Sequence, residues 1–284
     1  MNGVIEVEQY TEPVAFHAEG PVWSPSWGGL RYVDMFAGDV LSVGDDHSVT
    51  RRGVGSIAAA VRPRRSGGAV IAVERGFVLE APDGTLTELP EVWSDTSLRM
   101  NEGGCDPQGR FYSGSIAYDQ APGRASLYRM DADGTVSHLF GDVTCSNGLD
   151  WSPDGQTAYY VDSTTRRIDA FAYDATAGLT GRRTLVAIPD GIPDGLTVDA
   201  EGCIWVALYA ASAVHRYRPD GVLDGVVELP VSQVTACTFG GEHLDELFIT
   251  TSRENLPDDV QPDAGAVFRC RPGVLGRAVS AFAG

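Results

Sequence analysis

The sequence contains no lysine, so its positive charge comes from arginine alone. The 21 arginines face 39 acidic residues, which gives a formal net charge of −18. A surface of this sign repels phosphate and therefore argues against nucleic acids and anionic membranes as partners. It suits cations and neutral small molecules instead. Because 43% of the residues are hydrophobic and 21% are charged, the composition is that of an ordinary globular protein.

Long apolar runs are also missing. No segment approaches the roughly 20 apolar residues that a membrane-spanning helix needs. Residues 1–16 lack the basic and apolar regions of a signal peptide. The five cysteines are odd in number and form no Cys-x-x-Cys pair, which predicts reduced thiols. We therefore expect a cytoplasmic protein.

Several common catalytic motifs are absent as well. The five histidines show neither the H-x-x-x-H nor the H-E-x-x-H spacing of zinc hydrolases. There is no G-x-S-x-G motif, which disfavours a serine hydrolase, and no glycine-rich phosphate loop. Any catalytic or metal site must therefore be built from other side chains.

A repeat accounts for most of the chain. A glycine turn followed by alternating aromatic or β-branched residues recurs six times, and this pattern predicts strands. The glycines lie at positions 29, 68, 109, 155, 202 and 241, with spacings of 39 to 47 residues. A second strand pattern follows each first one and also counts six units.

A period of about 40–50 residues with several strands per unit is typical of a β-propeller. We predict an all-β, six-bladed β-propeller formed by one domain over residues 1–284. An irregular β-sandwich is the alternative, but two independent markers give the same count. The segment Val4–Tyr10 is predicted to join the last blade and close the ring, which removes free strand edges.

The first strand of each propeller blade lines the central channel. Counting back about eight to ten residues from each repeat glycine gives one channel position per blade. Small residues flank most of these positions, which keeps the channel mouth open. The six positions are Glu19, the run Ala58–Ala60, Asn101, Asn147, Asp194 and Thr235.

Four of these positions carry carboxylate or amide oxygens that point towards one axis. Oxygen-only ligands with net negative charge suit Ca²⁺ or another hard divalent ion. The alternative is that Asp and Asn at strand starts merely form turns. Arg99, two residues before Asn101, and Asp119, in the loop after a strand, can reach the same mouth and suit a polyhydroxylated ligand. Each could instead be an ordinary surface charge.

The sequence resembles the SMP-30/gluconolactonase/regucalcin family of six-bladed propeller lactonases over nearly its whole length. The matching motifs are E-G-P-V-W from position 19, R-M-N-E-G-G from 99, S-N-G-L-D-W-S from 146, I-P-D-G-L-T-V-D from 192, and T-A-C-T-F-G-G from 235. Together and in this order they are highly specific.

The resemblance implies site residues. It places a divalent metal on Glu19, Asn147 and Asp194, and substrate contacts on Arg99, Asn101 and Asp119. The family's usual Asp after the asparagine is Glu102 here, and its usual Glu in the loop is the shorter Asp119. The sugar preference of a typical gluconolactonase should therefore not be carried over to this chain.

The predicted function is metal-dependent hydrolysis of sugar lactones, aldono-1,4- or 1,5-lactones, to aldonic acids, with Asp194 as general base as well as ligand. Ca²⁺ is the first choice of ion, and Zn²⁺, Mn²⁺, Mg²⁺ or Fe²⁺ would also be accepted. The alternatives are a non-catalytic, regucalcin-like calcium-binding protein, or an esterase or phosphotriesterase with a non-sugar substrate. We expect a monomer or small homo-oligomer.

Overall fold

A computed structural model describes residues 5–257 and 259–284, and its strands form six separate sheets. The strands of the first half are β1 (Val7–Gln9), β2 (Ala18–Ser24), β3 (Gly29–Asp34), β4 (Asp39–Val43), β5 (Val49–Gly53), β6 (Ala58–Pro63), β7 (Ala69–Val73), β8 (Phe77–Glu80), β9 (Leu86–Glu88), β10 (Leu98–Cys105), β11 (Phe111–Ala117), β12 (Ala125–Met130) and β13 (Val136–Val143).

The second half continues the same pattern. Its strands are β14 (Ser146–Trp151), β15 (Thr157–Asp162), β16 (Arg167–Asp174), β17 (Gly178–Ala187), β18 (Ile192–Val198), β19 (Ile204–Tyr209), β20 (Ala213–Tyr217), β21 (Leu223–Glu228), β22 (Val234–Gly240), β23 (Glu246–Thr251) and β24 (Val267–Cys270). The described ranges also contain three short 3-10 helices, Pro25–Trp27, Met35–Ala37 and Ser163–Thr165. None of these is long or apolar enough to cross a membrane.

Each sheet is a four-stranded antiparallel blade. Blades one to five are β2–β5, β6–β9, β10–β13, β14–β17 and β18–β21, and blade six combines β22–β24 with β1. The first strand of each blade contacts the first strands of the two neighbouring blades, so these six inner strands close a ring around a channel. The predicted six-bladed propeller is confirmed.

The sixth blade is assembled from both ends of the chain. β1 pairs antiparallel with β24, and Val7 lies opposite Cys270. β24 therefore has a neighbour on each side and presents no free edge. The sequence predicts a longer strand that starts at Val4, a residue that lies outside the described ranges.

Aromatic residues fill the spaces between blades. Trp205 and Phe239, from blades five and six, are buried and meet edge to face, with ring centroids 5.6 Å apart. Tyr112 and Trp151 repeat this contact between blades three and four at 5.3 Å. Each such pair contributes roughly 1 kcal/mol beyond the area that it buries. The inner strands are thus held rigidly from behind, which fixes the side chains that face the channel.

All six inner strands share a break in their pairing with the second strand of the blade. The register shifts directly after Glu19, Met100, Ser146 and Pro193, and in the other two blades at Ala59 and Thr235. A β-bulge of this kind bends a strand and redirects a side chain. The bulges therefore occur where the channel positions were predicted.

Glycine follows three of these positions, Glu19, Asn147 and Asp194, and neighbouring inner strands come very close at the last two. A Cβ atom at Gly148 would lie 2.7 Å from Leu196 Cγ, and one at Gly195 would lie 2.4 Å from Ala236 Cβ. Any larger residue would push the strands apart. These two glycines thus set the width of the ring beside the site.

The last residues of the chain, 272–284, cross the end of the channel at which the inner strands finish. Arg277 Nε donates to the Val198 carbonyl at 3.3 Å, and the Phe282 N–H donates to the Pro63 carbonyl at 2.8 Å. The Phe282 ring is 1% exposed. The segment therefore packs as part of the fold and covers this end of the propeller.

Candidate functional site

A cavity of about 490 Å³ opens at the other end of the channel, where the inner strands begin. Five of the six blades contribute to its lining. Blade two contributes nothing, and its bulge carries the small residue Ala59. The predicted site residues that line the cavity are Glu19, Arg99, Asn101, Asn147 and Asp194.

Glu19, Asn147 and Asp194 bring three buried oxygen donors together from blades one, four and five. Glu19 Oε2 accepts the Gly20 N–H at 2.7 Å. Asn147 Nδ2 donates to Ser163 Oγ at 3.1 Å, which fixes the orientation of the amide. Within the described ranges, Asn147 Oδ1 and Asp194 Oδ1 are buried and have no hydrogen-bond partner.

Two buried aspartates at the ends of second strands hold the backbone of this site in place. Asp34 Oδ1 accepts the His17 N–H at 3.0 Å, and Asp162 Oδ1 accepts the Cys145 N–H at 3.0 Å. Each contact fixes the chain two residues before a donor of the site. The repeated Tyr-Val-Asp motif of blades one and four therefore has a structural role.

The carboxylates of the cavity repel one another. Burial, followed by the charges of Asp194 and Glu102, raises the pKa of Glu19 well above its usual range. Burial and the charge of Glu102 do the same to the pKa of Asp194. A divalent cation would offset this repulsion and satisfy the two unpartnered oxygens. The donor set therefore fits a hard divalent ion.

Glu102 lies in the same channel. Its Oε1 is 3.8 Å from Arg62 Nη2, and its Oε2 has no partner among the residues that the structure describes. Burial raises the pKa of Glu102 to about 7, and Arg62 opposes that shift. Glu102 is thus a third buried carboxyl, and its charge acts on both Glu19 and Asp194.

Arg99 and Asn101 form a hydrogen-bonded pair on β10. Arg99 Nη1 donates to Asn101 Oδ1 at 2.8 Å, and Asn101 Nδ2 donates to the Ser146 carbonyl at 2.8 Å. The guanidinium lies over the Phe36 ring, 5.2 Å from its centroid. The bulge and these contacts hold a buried cation, 7% exposed, in the cavity wall.

Asp119 does not line the cavity. It is exposed, and its Oδ1 accepts the Ala121 N–H at 3.0 Å within its own turn. The neighbouring Gln120, at a φ of 54°, lines the cavity instead. A contact between Asp119 and a sugar stays a prediction.

Sequence reasoning did not find the residues at the cavity rim. His17 Nδ1 lies 2.7 Å from Ser252 Oγ and 3.4 Å from Glu254 Oε2. Burial, followed by the charge of Arg99, lowers the pKa of His17 to about 3, so its ring is neutral. These residues are more than 200 positions apart in the sequence, and no local motif joins them.

Another acidic group, Asp199, Glu201 and Cys203, has donor atoms within 4.8 Å of one another. Arg216 already occupies it: Nη2 lies 2.8 Å from Asp199 Oδ2 and 2.6 Å from Glu201 Oε2. The positive charge of Arg216 repels a metal ion, and its guanidinium fills the space between the carboxylates. We therefore interpret this group as stabilising the fold.

Comparisons with known proteins show which family the chain is similar to. The sequence profile of the SMP-30/Gluconolactonase/LRE-like region matches residues 17–253. Regucalcin of Xenopus laevis is 37% identical over 286 residues, which cover 94% of both chains.

Solved structures match over almost the full length. A calcium-binding protein, regucalcin, from Agrobacterium tumefaciens superposes with a TM-score of 0.92 at 28% identity and covers 98% of this chain and 97% of its own. A luciferin-regenerating enzyme superposes with a TM-score of 0.90 at 29% identity and covers 98% and 99%. The chain belongs to the SMP-30/gluconolactonase/LRE-like family, as its motifs indicate.

Proposed function

We propose that the protein is a divalent-metal-dependent hydrolase that opens aldono-1,4- or 1,5-lactones to aldonic acids. The observation that carries this proposal is one cavity in which two unpartnered buried oxygens, on Asn147 and Asp194, lie beside the fixed cation Arg99. Its volume of about 490 Å³ leaves room for a monosaccharide next to an ion. Membership of a family that includes gluconolactonases supports the reaction class.

Glu19, Asn147 and Asp194 would hold the ion. When bound, a divalent cation polarises the lactone carbonyl and stabilises the negative charge that develops on its oxygen. Ca²⁺ is our first choice because all three donors are oxygens.

Asp194 is the proposed general base. Its Oδ1 has no hydrogen bond to the described chain and is free to take a proton from the attacking water. The water oxygen bonds to the carbonyl carbon, and the bond from that carbon to the ring oxygen breaks. The proton then passes to the released ring oxygen, which becomes a hydroxyl group.

Arg99 and Asn101 would orient the sugar. Their mutual hydrogen bond fixes both groups before substrate arrives, so little side-chain freedom is lost on binding. Asp119, on the adjoining loop, remains a predicted sugar contact.

A non-catalytic calcium-binding protein is the second candidate. One observation favours it: the regucalcin from Agrobacterium tumefaciens is described as a calcium-binding protein. Holding an ion requires only the three donors, however, whereas the buried Arg99 in the same wall has no role in binding a cation.

Proton release from D-glucono-1,5-lactone, followed by pH-stat, separates the two candidates. Turnover should vanish in EDTA and return on addition of Ca²⁺, Zn²⁺, Mn²⁺ or Mg²⁺, whichever ion the site accepts. Calorimetric titration of the same EDTA-treated protein measures ion binding directly. Binding without turnover would favour the non-catalytic candidate, and turnover that survives EDTA would contradict metal dependence.

A further inference from the structure

The loop that connects β23 with β24 reaches over the cavity. The Leu256 N–H donates to the Arg253 carbonyl at 3.1 Å, and Asn255 has a φ of 62°, as the third residue of a type II turn requires. The Arg253 N–H donates to the Phe16 carbonyl at 2.8 Å, which ties the loop to blade one. The second residue of this turn is Glu254.

Both sides of the turn fix Glu254. Its N–H donates to Ser252 Oγ at 2.9 Å, and its carbonyl accepts the Tyr209 hydroxyl at 3.2 Å. Tyr209 in turn accepts Asn255 Nδ2 at 3.2 Å. The backbone of Glu254 is therefore held from blade five as well as from its own blade.

The carboxylate of Glu254 remains available to a ligand. It lines the cavity, its side chain is 33% exposed, and its Oε2 lies 3.4 Å from His17 Nδ1, while the Tyr209 hydroxyl also interacts with it. Asp119, by contrast, is exposed and bonded within its own turn. Glu254 is thus the acid that the fold places at the cavity rim.

Arg99 faces the same space. The hydrogen bonds that Arg99 donates to Met35, Met100 and Asn101 all come from Nη1, and Nε and Nη2 donate none to the described residues. Arg99 also acts electrostatically on the Glu254 carboxyl. The cavity is therefore lined by a hydrogen-bond acceptor, the Glu254 carboxylate, and by a donor, the Arg99 guanidinium.

We propose that Glu254 binds hydroxyl groups of the lactone ring from the rim, opposite Arg99, and so selects hydroxylated lactones over unsubstituted ones. This inference rests on the proposed lactonase function. An ionised carboxylate is only an acceptor, and each ring hydroxyl offers it one donor. An unsubstituted lactone has the same reacting carbonyl but no hydroxyl, so it gains nothing from Glu254.

The test compares Glu254→Gln with wild type on D-glucono-1,5-lactone and on δ-valerolactone, which lacks ring hydroxyls. We expect the KM for gluconolactone to rise about tenfold, the lower end of what a hydrogen bond to a charged group contributes. The kcat/KM for δ-valerolactone should stay within about twofold. Glu242→Gln, an exposed change in the same blade at the far end of β23, is the matched control.

Two results would overturn the inference about Glu254. Equal losses on both lactones would mean that Glu254 only positions its neighbours, and a drop in melting temperature would accompany them. An unchanged KM for gluconolactone would mean that no hydroxyl contacts Glu254. If wild type opens neither lactone with any cation, the proposed function itself fails, which is a different outcome from either of these.

Discussion

Two groups of buried acids in this propeller have opposite surroundings. Asp199 is fully buried, yet its carboxylate accepts bonds from Arg216, from the N–H of Cys203 at 2.8 Å and from Trp205 Nε1 at 2.9 Å. Asp194 is buried to a similar degree, but its Oδ1 has no partner in the described chain. Burial alone does not distinguish a carboxylate that could bind a ligand from one with a structural role. The difference is whether the chain itself provides hydrogen-bond donors or cations for the carboxylate.

The difference supports the proposed ion site in the cavity. In the Asp199 group the chain itself supplies a cation, so the buried Asp199 carboxylate has an internal counterion, Arg216. Among the described residues, the closest arginine contact to the carboxylates of Glu19, Glu102 and Asp194 is the 3.8 Å separation of Arg62 Nη2 and Glu102 Oε1. A buried charge without a partner is costly, and a bound cation removes that cost.

The largest effect should come from Asp194→Asn. This change keeps the shape of the side chain but removes one charge of the proposed ion site and the proposed base. We expect kcat to fall at least about 10³-fold, while the β-rich circular dichroism spectrum is retained. In EDTA the variant should melt no lower than wild type, because a repelling charge has gone. Turnover like that of wild type would contradict the assignment.

Arg216→Ala should destabilise the protein by removing the cation of the Asp199 group. It would leave Asp199 buried and charged without its cation, which costs about 3–5 kcal/mol of unfolding free energy. Urea denaturation measures this loss. Lactone turnover per folded molecule should be unchanged, because Arg216 lies in a group separate from the cavity lining. A stable Arg216→Ala protein would mean that the Asp199 group does not depend on internal pairing.

The pH dependence of stability in EDTA is the next test. The folded protein raises the pKa of Glu102 from 4.5 to about 7, so it holds a proton that the unfolded chain releases. The contribution of Glu102 to stability is therefore full below pH 4.5 and is lost as the pH rises through about 7, a change of roughly 3 kcal/mol. Glu102→Gln should flatten the curve of melting temperature against pH. A curve of unchanged slope would show that Glu102 is not the group responsible.

Glu201→Gln should have the smallest effect. Glu201 contacts Arg216, but its side chain is 62% exposed, so water screens the pair. We expect a loss below about 1 kcal/mol in the same urea experiment. If Glu201→Gln lost as much unfolding free energy as Arg216→Ala, the main stabilising contact of Arg216 would be with the exposed Glu201 and not with Asp199.

The repeat made the fold and much of the cavity predictable. Glycine turns and alternating strands recur with the blades, so counting back from each glycine locates the channel positions. Glu19, Asn147 and Asp194 could be found in this way because each lies on an inner strand at the same height.

The rim could not be predicted by the same reasoning. Glu254 lies in the loop between β23 and β24, which is not part of the sequence repeat. Its contact with His17 connects blade six to blade one. The orientation of Asp119 depends on one turn, in which a backbone N–H competes for its carboxylate. Such contacts depend on ring closure and on the geometry of single turns. Neither produces a repeated pattern in the sequence.

The C-terminal segment has a kinetic consequence. It lies across the end of the channel opposite the cavity, with Phe282 packed beside Pro63. We therefore expect a molecule in the cavity to enter and leave at the end where the inner strands begin, because the C-terminal segment packs over the other end. If the protein is the proposed lactonase, the aldonate must leave through this opening before the next lactone enters, so accumulating product should act as a competitive inhibitor.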